Sequence, residues 1–186
     1  LRKLTPNTPN QSRSIINCWN TLLIELTIAP LTSQHSAEIS ALAMRSKAHW
    51  EYSPAFLKQC EAELSYSAEQ IAHKDYHFVA AWLAPDTNPS APLGFYALQC
   101  LSSSQMELLA LFICPSAIGT GVGRVLLGHA IEFAKKQRAT SLIVYSDPHA
   151  AGFYSRAGAF HCGYQASGSI PGRELPIYQF QLKETA

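Results

Sequence analysis

The segment from Leu108 to Arg124 constrains this chain most. It reads Leu-Leu-Ala-Leu-Phe-Ile-Cys-Pro, then Ser-Ala-Ile-Gly-Thr-Gly-Val-Gly-Arg. An apolar run closed by a proline is expected to be a buried strand, followed by a glycine-rich turn and the start of a helix. Glycines at 119, 121 and 123 remove the side chains that would hold a ligand away from the backbone. The N–H groups of the helix's first turn have no intrahelical partner, and the helix dipole favours an anion beside them. The expectation is a phosphate or pyrophosphate site, with a purely structural tight turn as the alternative. A P-loop does not fit, because no Gly-Lys-Ser/Thr follows. The Gly-x-Gly-x-Gly spacing, past mid-chain with one clear crossover after it, is a poor dinucleotide fingerprint.

Val122, Val125, Leu126, Ala130, Phe133 and Ala134 recur at three- and four-residue spacing and give the next helix one apolar face. Lys135, Lys136 and Arg138 gather at its C-terminal end, where cations suit the dipole. Leu142–Tyr145 is a short β-rich run, so strand, helix and strand form a right-handed crossover between parallel strands.

Upstream, residues 1–20 are rich in Pro, Asn, Ser and Thr and are expected to be a flexible leader to one domain over residues 21–186. Leu23–Ala29 alternates as a strand. Ser36–Ala48 and Pro54–Leu64 have helical spacing, the second with Ser53 as cap and Pro54 at its first position. Ser67–Gln70 suggests a helical turn. His77–Leu83 and Leu93–Leu101 read as an antiparallel hairpin around the proline-rich turn Ala84–Pro92, followed by the strand Met106–Cys114. The tail reads as strand Phe160–Gln165, loop Ala166–Pro176 and strand Ile177–Leu182. The class is mixed α/β (α+β), a mostly antiparallel sheet with helices packed on it.

With 186 residues, 47% of them hydrophobic, the chain can bury a core. A net charge of +1 gives no sign of nucleic acid or an anionic membrane, and no apolar run approaches the ~20 residues of a membrane-spanning helix. The five scattered cysteines, without a Cys-x-x-Cys, read as free thiols in a reducing cytoplasm. His73 and His77 have a four-residue spacing but no evident third ligand, so no metal site is expected. His129, on the apolar helix face, reads as a satisfied core histidine.

Two motifs resemble the GNAT superfamily of acyl-CoA-dependent N-acetyltransferases. Ile113-Cys114-Pro115 with Gly121-Val122-Gly123 is similar to the family's strand end and its Gln/Arg-x-x-Gly-x-Gly/Ala turn, although Ile118 stands where Gln or Arg is usual. That loss removes a side chain and keeps the backbone donors. Asp147-Pro148-His149-Ala150-Ala151-Gly152-Phe153-Tyr154, with Gly158-Ala159-Phe160 after it, is similar to the family's Asn-x-x-Ala-x-x-Phe-Tyr-x-x-x-Gly-Phe. The resemblance spans about Leu26–Leu182 and is strongest from Glu107 to Phe160. The segments Arg45–Trp50, Ser146–Pro148 and Gly168–Arg173 look like those of a bacterial subgroup whose acceptor is unassigned.

The resemblance implies a GNAT-like fold with a central, splayed pair of parallel strands. It implies direct acetyl transfer from acetyl-CoA to an amine in a ternary complex. The pyrophosphate would lie on Gly119, Thr120, Gly121, Val122, Gly123 and Arg124, and the pantetheine arm along Leu111, Phe112 and Ile113. Tyr154 would protonate the leaving thiolate, its alternative being a packed helix aromatic. Glu107 would take the amine proton, its alternative a solvent-facing strand charge. Asp147 either contacts the cofactor or forms an Asx-type turn before Pro148. His49, Trp50 and Tyr52 either cage an amine or pack an ordinary loop. Arg173 either anchors an acidic group on the acceptor or is a surface charge. The expected acceptor is a small-molecule amine. A protein N-terminus or lysine, and a non-catalytic acyl-CoA sensor, are the alternatives. A homodimer is an expectation from the family alone.

Overall fold

The computed structural model describes residues 12–17, 23–84 and 91–182. Eight strands form one sheet: β1 (Ser12–Asn17), β2 (Leu23–Pro30), β3 (Tyr76–Leu83), β4 (Gly94–Cys100), β5 (Gln105–Ile113), β6 (Ser141–Tyr145), β7 (Phe160–Ala166) and β8 (Glu174–Gln181). Their order across the sheet is β1-β2-β3-β4-β5-β6-β8-β7. Only β5 and β6 run parallel, and every other neighbouring pair is antiparallel. The helices are α1 (Ser36–Ala48), α2 (Pro54–Cys60), α3 (Ala68–Ala72), α4 (Val122–Lys136) and α5 (Ala151–Arg156).

Helices cover both faces because the strands alternate. Val79, Ala81, Tyr96 and Leu98 pack with Val122, Leu126 and Ala130 of α4. Phe78, Ala80, Phe95 and Ala97 pack with Ile39 and Leu42 of α1, Cys60 of α2 and Ile71 of α3. The expected caps form: Ser53 Oγ accepts from Phe56 N at 3.2 Å and Ser67 Oγ from Gln70 N at 3.1 Å. Gly94 is required by close approach, since a Cβ there would lie 2.7 Å from Ile113 Cδ1 and 2.9 Å from Phe112 O.

Three segments differ from the sequence reading by more than two residues. Ser12–Asn17, inside the expected leader, is an edge strand on β2, and the rest of residues 1–20 lies outside the described residues. The helix expected to reach Leu64 ends at Cys60, where Glu61 N bonds Lys58 O at 3.3 Å and the chain continues as turns. The last strand starts at Glu174 rather than Ile177, so Pro176 sits inside it. Proline brings no donor, but its carbonyl still serves the sheet by accepting Ser146 N–H at 2.9 Å.

His77 stacks on Phe133 of α4 with ring centroids 3.6 Å apart, and Tyr96 Oη lies 2.8 Å from His129 Nδ1. Burial, and then the neighbouring His129, push the His77 imidazole down to about 4. The unfolded chain therefore binds the proton first, so this contribution to stability is complete above pH ~6.5 and is lost as pH falls toward 4. His77→Phe keeps the stack and is expected to flatten the decline in melting temperature between pH 7 and 4. An unchanged decline would remove His77 from the acid response.

Candidate active site

The β5–β6 ladder is short. It pairs Gln105, Met106 and Glu107 with Ser141, Leu142 and Ile143 and then stops. At that point β5 also carries an irregularity, with Leu98 opposite Leu108 but Ala97 opposite Ala110, so Leu109 is the extra residue. The bulge shifts the alternation. Met106 and Leu108 face α4, whereas Leu109, Ala110 and Phe112 face α1 and Leu111 and Ile113 face α4 again. A bulge bends its strand, and here β5 and β6 no longer pair with each other from Leu108 onward, while β6 stays paired with β8. Backbone groups of Leu108–Ile113 on that side border a cleft of about 1160 Å³.

One end of the cleft is the glycine turn. Gly119 and Gly121 adopt φ of 83° and 100°, a region that side chains disfavour. Gly121 caps α4. Val125 is the first residue to reach back across the cap, to Gly121 O at 3.1 Å. The N–H groups of Val122, Gly123 and Arg124 therefore precede the helical ladder. A Cβ on Gly123 would meet only ordinary contacts, the nearest at 3.5 Å, so the fold itself does not demand glycine there. Ile118, Thr120 and Arg124 also line this end. Thr120 Oγ1 donates to Ala117 O at 2.7 Å, which closes the turn from within.

Midway, Tyr154 of α5 and Glu107 line the cleft. Tyr154 is 6% exposed, edge-on to Phe153. Among the described residues nothing hydrogen-bonds its hydroxyl. Burial, with the Asp147 charge adding to it, pushes this phenol well above its ordinary value and keeps it protonated. Glu107, between Met106 and Leu108, points to the α1 face. Burial raises its carboxyl, and no described residue pairs with it.

The far end is built around Asp147, just past β6. Its Oδ1 accepts His149 N–H at 2.9 Å, an Asx turn before Pro148. Tyr52 Oη donates to the carboxylate at 2.9 and 3.0 Å. Lys47 Nζ at 2.5 Å and Arg173 Nη2 at 3.0 Å converge on Oδ2, and Arg173 Nη2 also donates to Tyr52 Oη at 2.9 Å. Burial alone would raise the Asp147 carboxyl. The Lys47 hydrogen bond and charge, the His149 N–H and Tyr52 outweigh it and hold the group at about 2. Arg173 lies over Phe56 and Tyr52, its Cζ 4.8 and 5.2 Å from their ring centroids. Trp50 stacks on His149 at 5.2 Å with the planes 6° apart, and His49 meets Trp50 edge-on. Trp50 keeps 37% of its surface exposed, and it lines the cleft.

Tyr52, Asp147 and Arg173 thus come together as one bonded group, and His49 and Trp50 flank it. Lys47, Phe56 and His149 belong to the same group but were not singled out from sequence. Each also meets a residue far along the chain, Lys47 with Asp147, Phe56 with Arg173 and His149 with Trp50, and no local spacing marks those contacts. Among the described residues no three of His, Cys, Asp and Glu gather as a metal site.

A strand pair that parts beside a glycine-capped helix defines the class, and comparison with known proteins agrees. Residues 39–167 match the acetyltransferase (GNAT) domain, and the chain belongs to that family of acetyltransferases. Its fold is similar to that of PaiA N-acetyltransferase from Thermoplasma acidophilum, solved with coenzyme A: 21% identity, TM-score 0.67, 84% of this chain and 98% of that one. It is also similar to the ribosomal-protein-S18-alanine N-acetyltransferase of Escherichia coli: 17% identity, TM-score 0.62, 87% and 96%. An aminoglycoside 6'-N-acetyltransferase complexed with coenzyme A gives 12% identity, TM-score 0.60, 86% and 98%. None of the curated proteins matches the chain.

Proposed function

We propose that this enzyme moves an acetyl group from acetyl-CoA to the amine of a small molecule, with both substrates bound together. The observation that carries this reading is the parting of β5 from β6 after Glu107, on the same cleft as the free N–H groups at the start of α4. That arrangement fits the cosubstrate. The amides of 119 and 121–124 suit a pyrophosphate, the Thr120 N–H being given to Ala117 O at 3.3 Å, and the unpaired edge at Leu111, Phe112 and Ile113 suits an amide-bearing arm added like a strand. Acetyl-CoA supplies the acetyl group as an activated thioester.

The chain's own groups would do the rest. Glu107, its carboxyl raised by burial, takes the proton that the amine must shed, directly or through water. A backbone N–H of the β5 edge polarises the acetyl carbonyl. Tyr154 aims a held proton at the departing sulfur. A phenol pushed so far above a thiol's ~8.5 gives up its proton completely only at a cost. Its main contribution is therefore hydrogen bonding to the charge that develops on sulfur.

A small acceptor is favoured over a protein because the α1–α2 loop and the β7–β8 loop are bonded to each other through Tyr52, Asp147 and Arg173. Those bonds tie the two loops together beside the cleft, which suits a small acceptor. A non-catalytic acyl-CoA sensor has no use for a raised carboxyl, without a partner among the described residues, and a protonated phenol lining one cleft. Four of the cysteines are free, in keeping with a cytoplasmic enzyme, and no described helix is long and apolar enough to cross a membrane. A homodimer remains part of the family expectation.

The test is thiol release from acetyl-CoA with a panel of small amines and a panel of unblocked peptides. Turnover confined to small amines is the expected result. Turnover confined to peptides would replace this acceptor with a protein N-terminus or lysine, and none with either would leave only the sensor.

A further inference from the structure

The Asp147 group is not neutral. Two cations, Lys47 and Arg173, share one carboxylate, and all three side chains are largely buried, at 13%, 14% and 17% exposure. Among the described residues no second carboxylate lies within ion-pair distance of either cation. The rings of Tyr52 and Phe56 back both of them, which offsets part of the cost of the surplus charge. Donors remain unspent. Among the described residues Arg173 uses only Nη2, on Asp147 and Tyr52, which leaves Nε and Nη1 of its five-donor fork, and Lys47 spends one of three N–H bonds. Both side chains border the cleft. A partly desolvated cation with spare donors is costly unless an anion meets it.

The same cleft carries the opposite pole at Glu107, whose carboxyl has no partner among the described residues. It faces the α1 side, the side from which Lys47 comes. Ile143 stands opposite Glu107 on β6, and Asp147 follows four residues later, a span of at most ~13 Å along the chain. Long Lys and Arg side chains shorten that reach further.

Resting on the acetyl-transfer reading above, we infer that the acceptor is an amino-acid-like zwitterion. Its amine is delivered toward Glu107 and its carboxylate is held by the unspent donors of Arg173 and Lys47. Asp147 then orients the two cations and leaves one net positive charge for the acceptor.

The experiment compares kcat/KM for L-amino acids with kcat/KM for the amines obtained by removing only their carboxylate. Wild-type protein is expected to prefer the amino acid by 10-fold or more. In Arg173→Gln and Lys47→Gln that preference falls toward one, mainly through KM for the amino acid, and Arg173→Lys restores part of it. Acetyl-CoA binding by each variant shows that it is folded, and the wild-type ratio stands whether or not the variants fold. A wild-type ratio at or below one, with the plain amines turned over, overturns the zwitterion and leaves acetyl transfer to small amines intact. A preference that both substitutions leave unchanged overturns the carboxylate site. Transfer to no amine at all removes this inference together with the function it rests on.

Discussion

Replacing Tyr154 with phenylalanine is expected to lower kcat by about 100-fold, with a small change in KM for the amine. Positioned proton donors contribute roughly 10²- to 10⁴-fold, and a phenol that mainly hydrogen-bonds sulfur belongs near the low end. The fold should barely register the change. The ring, edge-on to Phe153 and tilted on Tyr178, stays where it is, and the lost hydroxyl has no partner among the described residues. Stability should stay within ~0.5 kcal/mol of wild type. Steady-state thiol release beside a melting curve checks both halves. Wild-type turnover in the variant would leave Tyr154 as a packed aromatic only.

Replacing Asp147 with alanine is expected to have the largest effect on stability. It strands Lys47 and Arg173 beside each other, nearly buried and without a counter-charge. Removing one partner of a dry ion pair costs about 3–5 kcal/mol. Partial solvent access lowers the expectation to about 2–4 kcal/mol, or roughly 5–10 °C in melting temperature for a chain of this size. Asp147→Asn keeps an acceptor for Tyr52 and His149 and should fall between. The penalty depends on pH in a definite direction. The folded carboxyl, at about 2, lies below its ordinary 3.8. Its contribution is therefore complete above pH ~4 and is lost as pH falls toward 2. The gap between wild type and Asp147→Ala should close over that interval. A gap that stays constant would show that the carboxylate's charge is not what stabilises the group.

The crossover from β5 through α4 to β6 was legible because its signals are local. A β-rich apolar run, glycines at 119 and 121 that need positive φ, and a helical stripe from Val122 to Ala134 all lie within thirty residues. The Asx turn at Asp147 is likewise written in Asp-Pro. The Leu109 bulge was not legible. It depends on how β4 and β5 register against each other, and nothing in Leu108–Ile113 distinguishes a bulged strand from a straight one. Nor was the charge group at the far end. Tyr52, Asp147 and Arg173 each looked notable alone, but their union with Lys47 and Phe56 needs α1, the α1–α2 loop, the end of β6 and the β7–β8 loop to meet. The early onset of β8 had a similar cause. Pro176 reads as a loop residue until the sheet supplies Ser146 as a partner for its carbonyl.

Acetyl transfer by this enzyme depends on the glycine turn and the parted strands holding the acyl donor. The most direct measurement is a titration of the wild-type protein with acetyl-CoA and CoA, followed by calorimetry and by melting temperature. Saturable binding at one site per chain is expected, with stabilisation that grows with ligand, about 2.7 kcal/mol at one hundred times Kd. No heat and no shift with either ligand at millimolar concentration would contradict it. The glycines would then be a tight turn and no more, and the acetyl-transfer mechanism built on them would fall.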